Sequence, residues 1–579
     1  MRRITLCHLV LAVLGGLQAG CPPLVWETED RRRLDEGVAG QATPLASSAA
    51  YRDSIDASAY LEGMTLMRVR GYGLVVGLGN NGSRDCPKTV FDSLVQSMYK
   101  QRRTAGQVVG VTETTPERLI SSVDTAVVIV SGEIPPAGTV KQRFDVSVAA
   151  LPGTQTKSLR GGRLLPTELN VFRSVAEGKS ITGRVLAHAR GPLFLNPFSD
   201  EESATKSSPL QGTVLGGGVV MEDRSIRLVL FEPSHGRVRA VQDRINAHFP
   251  GSHRIADARS PAIVQLRVPD EYVGDETHFL GLVRSLYLRR DPAFESVRAR
   301  QLGEELLRPG APHPRIALAF EGLGRAALPV LAELYAHPKD YVSFHAAVAG
   351  LRLGEHIACD AVVKHARDPR SVYRFQAVRA LADAERMGSA AVALRALLSD
   401  EDPRVQIAAY ESLIKRGDTT IKTALIGDDN FVLDEVPTSS TRFVYAKRST
   451  LRRIAIFGLD ARSRPPILYR APDGIVTMTA GPDDSHLTVI RAVGPTGATS
   501  PPVPVAFALP ALIRMLGGEA EADVDGAVTG LGVDYGAIVR AMYQLSRDGA
   551  LNAKFVLEQP NAAELFGPRR PVGRPESEL

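Results

Sequence analysis

Arg70-Gly71-Tyr72-Gly73-Leu74-Val75-Val76-Gly77-Leu78, with Gly79 behind it, is the stretch on which the fold turns. Three consecutive apolar residues, Leu74 to Val76, read as buried strand. The glycines around them read as bulges or points of close backbone approach. A dinucleotide-binding loop has a similar look, but its G-x-G-x-x-G pattern needs a helix to start where Leu74 to Val76 reads as strand. Here the third glycine also comes one place late, and no G-K-[ST] follows. Residues 68–78 are therefore expected to be a glycine-interrupted strand that binds no cofactor.

The pattern on either side is mixed α/β over 51–290. Phe91 to Tyr99 spaces its apolar residues as a short helix, and Thr125 to Val130 is a buried strand. Phe144, Val146 and Val148 alternate with polar or small residues, the period of a half-buried strand. Residues 226–231 make another strand. Ser234 is placed to cap a helix carrying Val238, Val241, Ile245 and Phe249, and Pro250-Gly251 stops it. Val264, Leu266 and Val268 alternate again, so a small α/β sandwich is expected here. Asp275, Glu276 and His278 fall in a predicted loop after Gly274 without the context of a catalytic triad, and no catalytic residue is assigned.

Composition shifts to Ala, Leu and Arg with helical spacing over 291–425. Pro338, Pro369 and Pro403 recur 31 and then 34 residues apart, each ahead of a helical stretch. A proline in the first turn of a helix costs little, because its missing N–H has no partner there in any case. Second helices fit 357–365 and 390–398. Two helices per repeat of this length resemble HEAT-type repeats, which bury their apolar faces against their neighbours. The β pattern returns over 426–560, with strands at 475–479 and 487–490, a linker at 501–504, a helical stretch at 531–550 and a last strand at 553–557.

The 579 residues leave room for about four domains. Hydrophobic residues at 44% and charged residues at 23% exclude global disorder and a coiled-coil rod. Sixty-nine basic against 64 acidic residues give a net charge of only +5, and the basic residues are dispersed. With one Trp and 6% aromatics, this argues against nucleic acid as a partner. Arg2 and Arg3 precede an apolar run from Ile4 to Leu17, too short to span a bilayer but suited to a secretory signal over 1–20. Leu17-Gln18-Ala19-Gly20-Cys21 resembles a bacterial lipobox, with Gln18 where an aliphatic residue is usual, and makes Cys21 the expected lipidation site. Residues 21–50 read as a spacer and 561–579 as a disordered tail. Cys86 and Cys359 are expected to be separate thiols. His356 and Cys359 form a lone pair on one helix, too few ligands for a metal.

Taken in order, several segments resemble the flagellar P-ring protein family. The first is the opening glycine stretch. Asp124-Thr125-Ala126-Val127-Val128 then leads to Gly132-Glu133-Ile134-Pro135-Pro136. Arg143 to Val148 precedes Lys157-Ser158-Leu159-Arg160-Gly161-Gly162-Arg163-Leu164-Leu165, and Gly212 to Gly218 follows. Leu531-Gly532-Val533 and the helix and strand after it resemble the family's close. The resemblance implies mixed α/β P-ring-like regions; the α-helical HEAT-like solenoid read from the proline spacing interrupts them and departs from the family, so the fold expected is α+β multidomain. The resemblance implies a structural subunit with no enzymatic activity and no cofactor, forming a periplasmic ring that serves as a bushing around the flagellar rod. Its implied partners are further copies of itself, rod and outer-ring proteins, and the peptidoglycan layer; a membrane is expected as a further partner from the lipobox at Cys21, in which this chain departs from the family. Gly71, Tyr72, Gly73, Gly77, Pro135, Pro136, Ser158, Leu159, Arg160, Gly161 and Gly162 are the motif and assembly residues. The alternative is a non-flagellar envelope lipoprotein that uses the same fold as an interaction scaffold. The array, as an insertion, is expected to project from the ring.

Overall fold

The computed structural model describes residues 49–105, 115–174, 180–195, 208–251, 253–427, 430–472, 474–493, 498–520 and 528–558. The expected signal, Cys21, the spacer and the tail lie outside these residues, apart from the spacer's last two positions.

The first region holds two sheets. The strands are β1 (Ala59–Glu62), β2 (Met67–Val76), β3 (Ala126–Ile134), β4 (Arg143–Ala150), β5 (Arg163–Ser174), β6 (Ser180–Pro192), β7 (Gln211–Val220) and β8 (Ile226–Leu230). Helices α1 (Lys88–Ala105) and α2 (Pro116–Ile120) lie between β2 and β3, so the helix expected at 91–99 is longer than its apolar spacing suggests. Six strands close into a barrel in the order β2-β3-β4-β7-β6-β5. Closure removes the free edges that an open sheet would expose. Its interior is packed with Val69, Val75, Val128, Val130, Val146, Val148 and Leu169. The second sheet runs β1-β8-β10-β9, where β9 is Ala256–Ser260 and β10 is Ile263–Leu266. Helix α3 (His235–His248) covers one face with Val238, Val241 and Ile245, and the Ser234 hydroxyl accepts from the Arg237 N–H as the capping signal predicts. Asp275 stands in the connection just ahead of a helix, but Glu276 and His278 do not lie in a loop. These two lie in the first turn of helix α4 (Glu276–Ser285), whose Phe279, Leu280 and Val283 complete this core.

The array is built of α5 (Pro292–Leu306), α6 (His313–Leu323), α7 (Leu328–Leu334), α8 (Asp340–Arg352), α9 (His356–Arg367), α10 (Arg374–Ala380), α11 (Gly388–Leu397) and α12 (Pro403–Lys415). Helix α9 packs against both α8 and α10, and α12 packs against both α10 and α11. Only Pro403 sits at a first helical position; Pro338 and Pro369 lie in the connections ahead of α8 and α10. Small residues such as Ala347, Ala358, Ala377 and Ala409 make up much of the shared core, so neighbouring helices approach closely.

A chain of charges crosses the array. His278 on α4 bonds Glu321 on α6 at 2.9 Å, Glu321 faces Arg352 on α8 at 3.7 Å, Arg352 meets Asp383 at 3.3 Å, and Lys415 on α12 meets Asp383 at 2.9 Å. Burial pushes the His278 pKa down, but its bonds to Asp275 and Glu321 outweigh this and hold it at about 9. A folded-state pKa raised above the unfolded value of about 6.5 gives stability that is complete below 6.5 and lost as pH rises to about 9. Denaturation midpoints measured at pH 6.5 and pH 9.5 should fall across this window for the parent chain. For His278→Gln they should change less.

The last region has a sheet in the order β11-β12-β14-β13-β20. Its strands are β11 (Lys422–Ile426), β12 (Phe431–Val436), β13 (Phe443–Ala446), β14 (Arg453–Phe457) and β20 (Lys554–Leu557). A second sheet holds β15 (Ile467–Arg470), β16 (Val476–Ala480), β17 (Leu487–Val493), β18 (Ala498–Thr499) and β19 (Val503–Val505). The expected linker at 501–504 thus contributes a strand, since Val503 to Val505 pair with β17. Helices α13 (Leu509–Gly517) and α14 (Tyr535–Arg547) pack beside these sheets. Residues 531–534 precede α14 and are not helical, so the stretch expected to be helical from 531 begins late. Asp534 accepts from Ala537 N–H and sets that start.

The array does not project freely from the β regions. It shares one buried cluster with Tyr51 and Tyr287 on one side and with Val436, Phe443, Tyr445 and Phe457 of the last region on the other. Arg244 on α3, 7% exposed, donates to Tyr287 O at 2.8 Å and to Gly322 O at 3.0 Å. Asp56 accepts from Arg284 on α4 at 2.6 Å and from Arg315 on α6 at 2.5 Å. At the far end, fully buried Asp434 on β12 accepts from Tyr410 on α12 at 2.5 Å, Thr423 at 2.6 Å and Arg453 at 2.8 Å. An insertion fixed at both ends by buried polar contacts is part of the body, because breaking such contacts strands desolvated charge.

Candidate assembly site

The motif residues gather around the barrel. Strand β2 is where the barrel closes, pairing β3 on one side and β5 on the other. Its pairing with β5 is regular at Val69–Arg70 and at Val75–Val76, and shifts between them. Gly71 and Gly73 lie in that interval. A Cβ on Gly71 would stand 2.1 Å from Glu168 O, and one on Gly73 would stand 2.5 Å from Thr167 Oγ1. The two glycines therefore let β5 cross close over β2. Tyr72, between them, points outward at 46% exposed and borders a cavity of about 30 Å³ against α1. That volume holds about one water.

Two loops interlock at one end of the barrel. Gly77 ends β2 with a φ of 80°. Leu78 N–H then donates to Asp124 O, and Gly79 N–H donates to Asp124 Oδ1 at 2.5 Å. The loop ahead of β5 bonds the same turn, with Lys157 N–H donating to Asn81 O at 2.8 Å. Ser158 Oγ accepts from Arg160 N–H at 3.2 Å, while Leu159 is fully buried and its N–H reaches Pro209 O. Gly161 turns the chain, and Gly162 packs against Val75 and Leu78. The structure so brings Gly71, Gly73, Gly77 and Ser158 to Gly162 into one part of the barrel. Lys157, Arg160 and Arg163 are exposed there.

Pro135 and Pro136 lie elsewhere, beyond the opposite end of β3. Arg224 holds that end, donating to Ile134 O at 3.1 Å, Pro135 O at 2.7 Å and Thr65 O at 2.7 Å. Nothing in the local sequence marks Arg224, since its role depends on carbonyls distant in the chain, that of Gly63 at 3.4 Å among them. Asp145 on β4 also carried no signal. It accepts from Gly216 N–H at 2.6 Å and from Thr450 N–H at 2.9 Å, and so ties the barrel to the β13–β14 connection. Burial pushes its pKa up, partly offset by those two N–H bonds. Phe194 and Leu215 of the barrel region enter the core of the last region at the same junction.

A cleft of about 440 Å³ lies where the array meets the last region, bordered by Arg395, Ser399, Thr438, Leu459 and Asp460. Its charges are already paired, Arg395 with Asp418 and Asp460 with Arg442. Among the described residues no group of three or more His, Cys, Asp or Glu is placed to hold a metal, and no helix is long and apolar enough to cross a membrane. Cys86 and Cys359 are free thiols, Cys359 buried.

Residues 55–297 match the family model described as flagellar P-ring protein. The chain is 30% identical over 256 residues to the flagellar P-ring protein of Geobacter metallireducens, which covers 42% of this chain and 64% of that protein. It is 31% identical over 242 residues to that of Caulobacter vibrioides, covering 39% and 58%. With that of Aquifex aeolicus it shares 30% over 239 residues, covering 39% and 59%. The chain thus spans about three fifths of the length of these relatives. A crystal structure of an engineered protein aligns over 26% of this chain and 74% of its own at 20% identity, with a TM-score of 0.17.

Proposed function

We propose that this chain, whose residues 55–297 match the model of the flagellar P-ring protein family, is a structural subunit of a periplasmic flagellar ring. The observation that carries this reading is the family match over the barrel and the α3 sheet, the region where the interlocked glycine motifs lie. The reading makes the subunit a non-enzymatic part of a bushing around the rod in the peptidoglycan layer. Its partners are further copies of itself and rod and outer-ring proteins. A ring built head to tail closes only if the rotation between subunits divides a circle, so rigid contacts are at a premium. The motif residues Gly71, Tyr72, Gly73, Gly77, Pro135, Pro136, Ser158, Leu159, Arg160, Gly161 and Gly162 supply that rigidity. Residues 291–425 are HEAT-type repeats in this reading. Cys21 carries a lipid that anchors the chain to a membrane, and Acyl chains contribute about 0.8 kcal/mol per buried CH₂.

A second reading has the chain as a non-flagellar envelope lipoprotein scaffold. It is favoured by the end of the family match at residue 297, just inside the array. Mass spectrometry of purified flagellar basal bodies, counting copies against a rod protein, separates the two. The ring reading expects ring-scale abundance. Absence from basal bodies, with the protein plentiful in the remaining envelope, would overturn it.

A further inference from the structure

One edge of the array is lined with rings that the ring-subunit reading does not use. His313 on α6 stacks on His345 on α8, with centroids 5.7 Å apart and planes 16° apart. Phe344, the neighbour of His345, stacks on Tyr373 at 4.5 Å, and Tyr373 also meets His345 edge-on at 5.4 Å. His345 is 9% exposed, and His313 is the histidine that faces it. Two imidazoles stacked in this way cannot both carry charge without strong repulsion.

His365 on α9, 7% exposed, lies beside this stack, with Phe344 edge-on at 5.8 Å. Both its ring nitrogens are 3.0 Å from hydroxyls, Nε2 from Ser343 and Nδ1 from Ser371. The Ser343 hydroxyl gives its proton to Tyr335 O at 2.6 Å, so towards His365 it can only accept. Nε2 therefore carries the proton and Nδ1 accepts from Ser371, whose Oγ accepts in turn from Tyr373 N–H. The chain of bonds runs from α8 through α9 to the turn before α10 and is complete with a neutral imidazole. A second proton, on Nδ1, reverses the bond to Ser371 and leaves that hydroxyl's proton without its acceptor. The charged groups bearing on His365 are Asp340 at the start of α8, and Lys364 and Asp368 on and just after α9.

We propose that this edge is an acid-sensitive clasp: neutral His345 and His365 hold α8 to the connection between α9 and α10, and proton uptake by either releases it. The expected direction agrees with the surroundings of each ring. Burial, and then His313, push the His345 pKa down to about 3, and burial lowers that of His365 despite Asp340. For a base whose pKa is lowered on folding, stability is complete above the unfolded value of about 6.5 and is lost as pH falls. At pH 5, His345 alone should raise the open population of this edge about 30-fold over that at pH 7.5, from the difference between 6.5 and about 3.

Hydrogen exchange of the full chain, timed to cancel the pH dependence of chemical exchange, reads this directly. Peptides covering 335–351 and 365–381 should lose protection by about 30-fold between pH 7.5 and pH 5, while peptides from β14 to β16 change far less. His345→Phe, which keeps a ring in the stack, should remove most of that difference. His313→Gln, at a less buried position, should reduce it. Unchanged protection at pH 5, loss spread equally over array and β regions, or an undiminished acid effect in both variants would overturn the proposal. Where His345→Phe does not fold, the parent chain and His313→Gln decide.

Discussion

Gly71→Ala should open the barrel. The added methyl carbon would lie 2.1 Å from Glu168 O, which is backbone and cannot rotate aside. Either β2 or β5 must move, and the pairs Val69–Val171, Arg70–Asn170 and Val75–Leu164 lie on either side of the crowded point. Overpacking a well-filled core costs about 1–3 kcal/mol, occasionally more, and a clash with backbone belongs at the upper end. The expected result is a fall in denaturation midpoint, with the earliest loss of hydrogen-exchange protection in β2 and β5. Gly79→Ala is the control. Its Cβ meets nothing within 4 Å, so its cost comes from its φ of 60° alone and should be about 1 kcal/mol. Equal effects of the two substitutions would refute the close-approach account of the motif.

Asp434→Ala should separate the array from the last region. The carboxylate is fully buried and accepts from Tyr410, Thr423 and Arg453. Removing it leaves the Arg453 guanidinium without its ion-pair partner in a low-dielectric seam, which costs about 3–5 kcal/mol. Burial and the adjacent Asp434 charge hold the Tyr410 phenol well above its ordinary pKa, so it remains a neutral donor whose acceptor has gone. Urea denaturation followed by fluorescence and by limited proteolysis should show a lower midpoint, with cleavage appearing first between α12 and β12. Thr423→Val removes one neutral donor from the same oxygen cluster and should cost about 1 kcal/mol. A loss for Asp434→Ala no larger than that would mean the seam does not depend on this cluster.

Much of the local structure was legible. Alternation at Phe144, Val146 and Val148 marked a half-buried strand, and Ser234 marked a helix start, because each depends on neighbours within one turn or one strand. Pro338, Pro369 and Pro403 each stand just ahead of or at the start of a helix, a cue that is local in the same way. The barrel was not legible. The glycines at 71 and 73 announce a close approach, but what approaches is Glu168 and Thr167, nearly 100 residues on, and neither has any pattern of its own. Glu276 and His278 were misread as loop because Gly274 before them is a stronger local cue than the apolar Phe279, Leu280 and Val283 after them.

The candidate site followed the same division. Its motif residues were recognisable as a series, yet their separation into a barrel interlock and a distant Pro135-Pro136 end required the topology. Arg224, Asp145, Arg244 and Asp434 were missed because a charged side chain looks alike in sequence whether it faces water or three buried partners. The attachment of the array at both ends was missed for that reason: the residues that fix it are polar, and their burial is a tertiary fact.

Electron cryotomography of basal bodies in the source cells, with subtomogram averaging, tests the central claim most directly. The account predicts a ring at the level of the peptidoglycan whose subunits each carry the helical array held against the β regions, as Arg244, Asp56 and Asp434 require. A ring too small for the extra helical mass in each subunit, or one that persists unchanged when this gene is deleted, would contradict it.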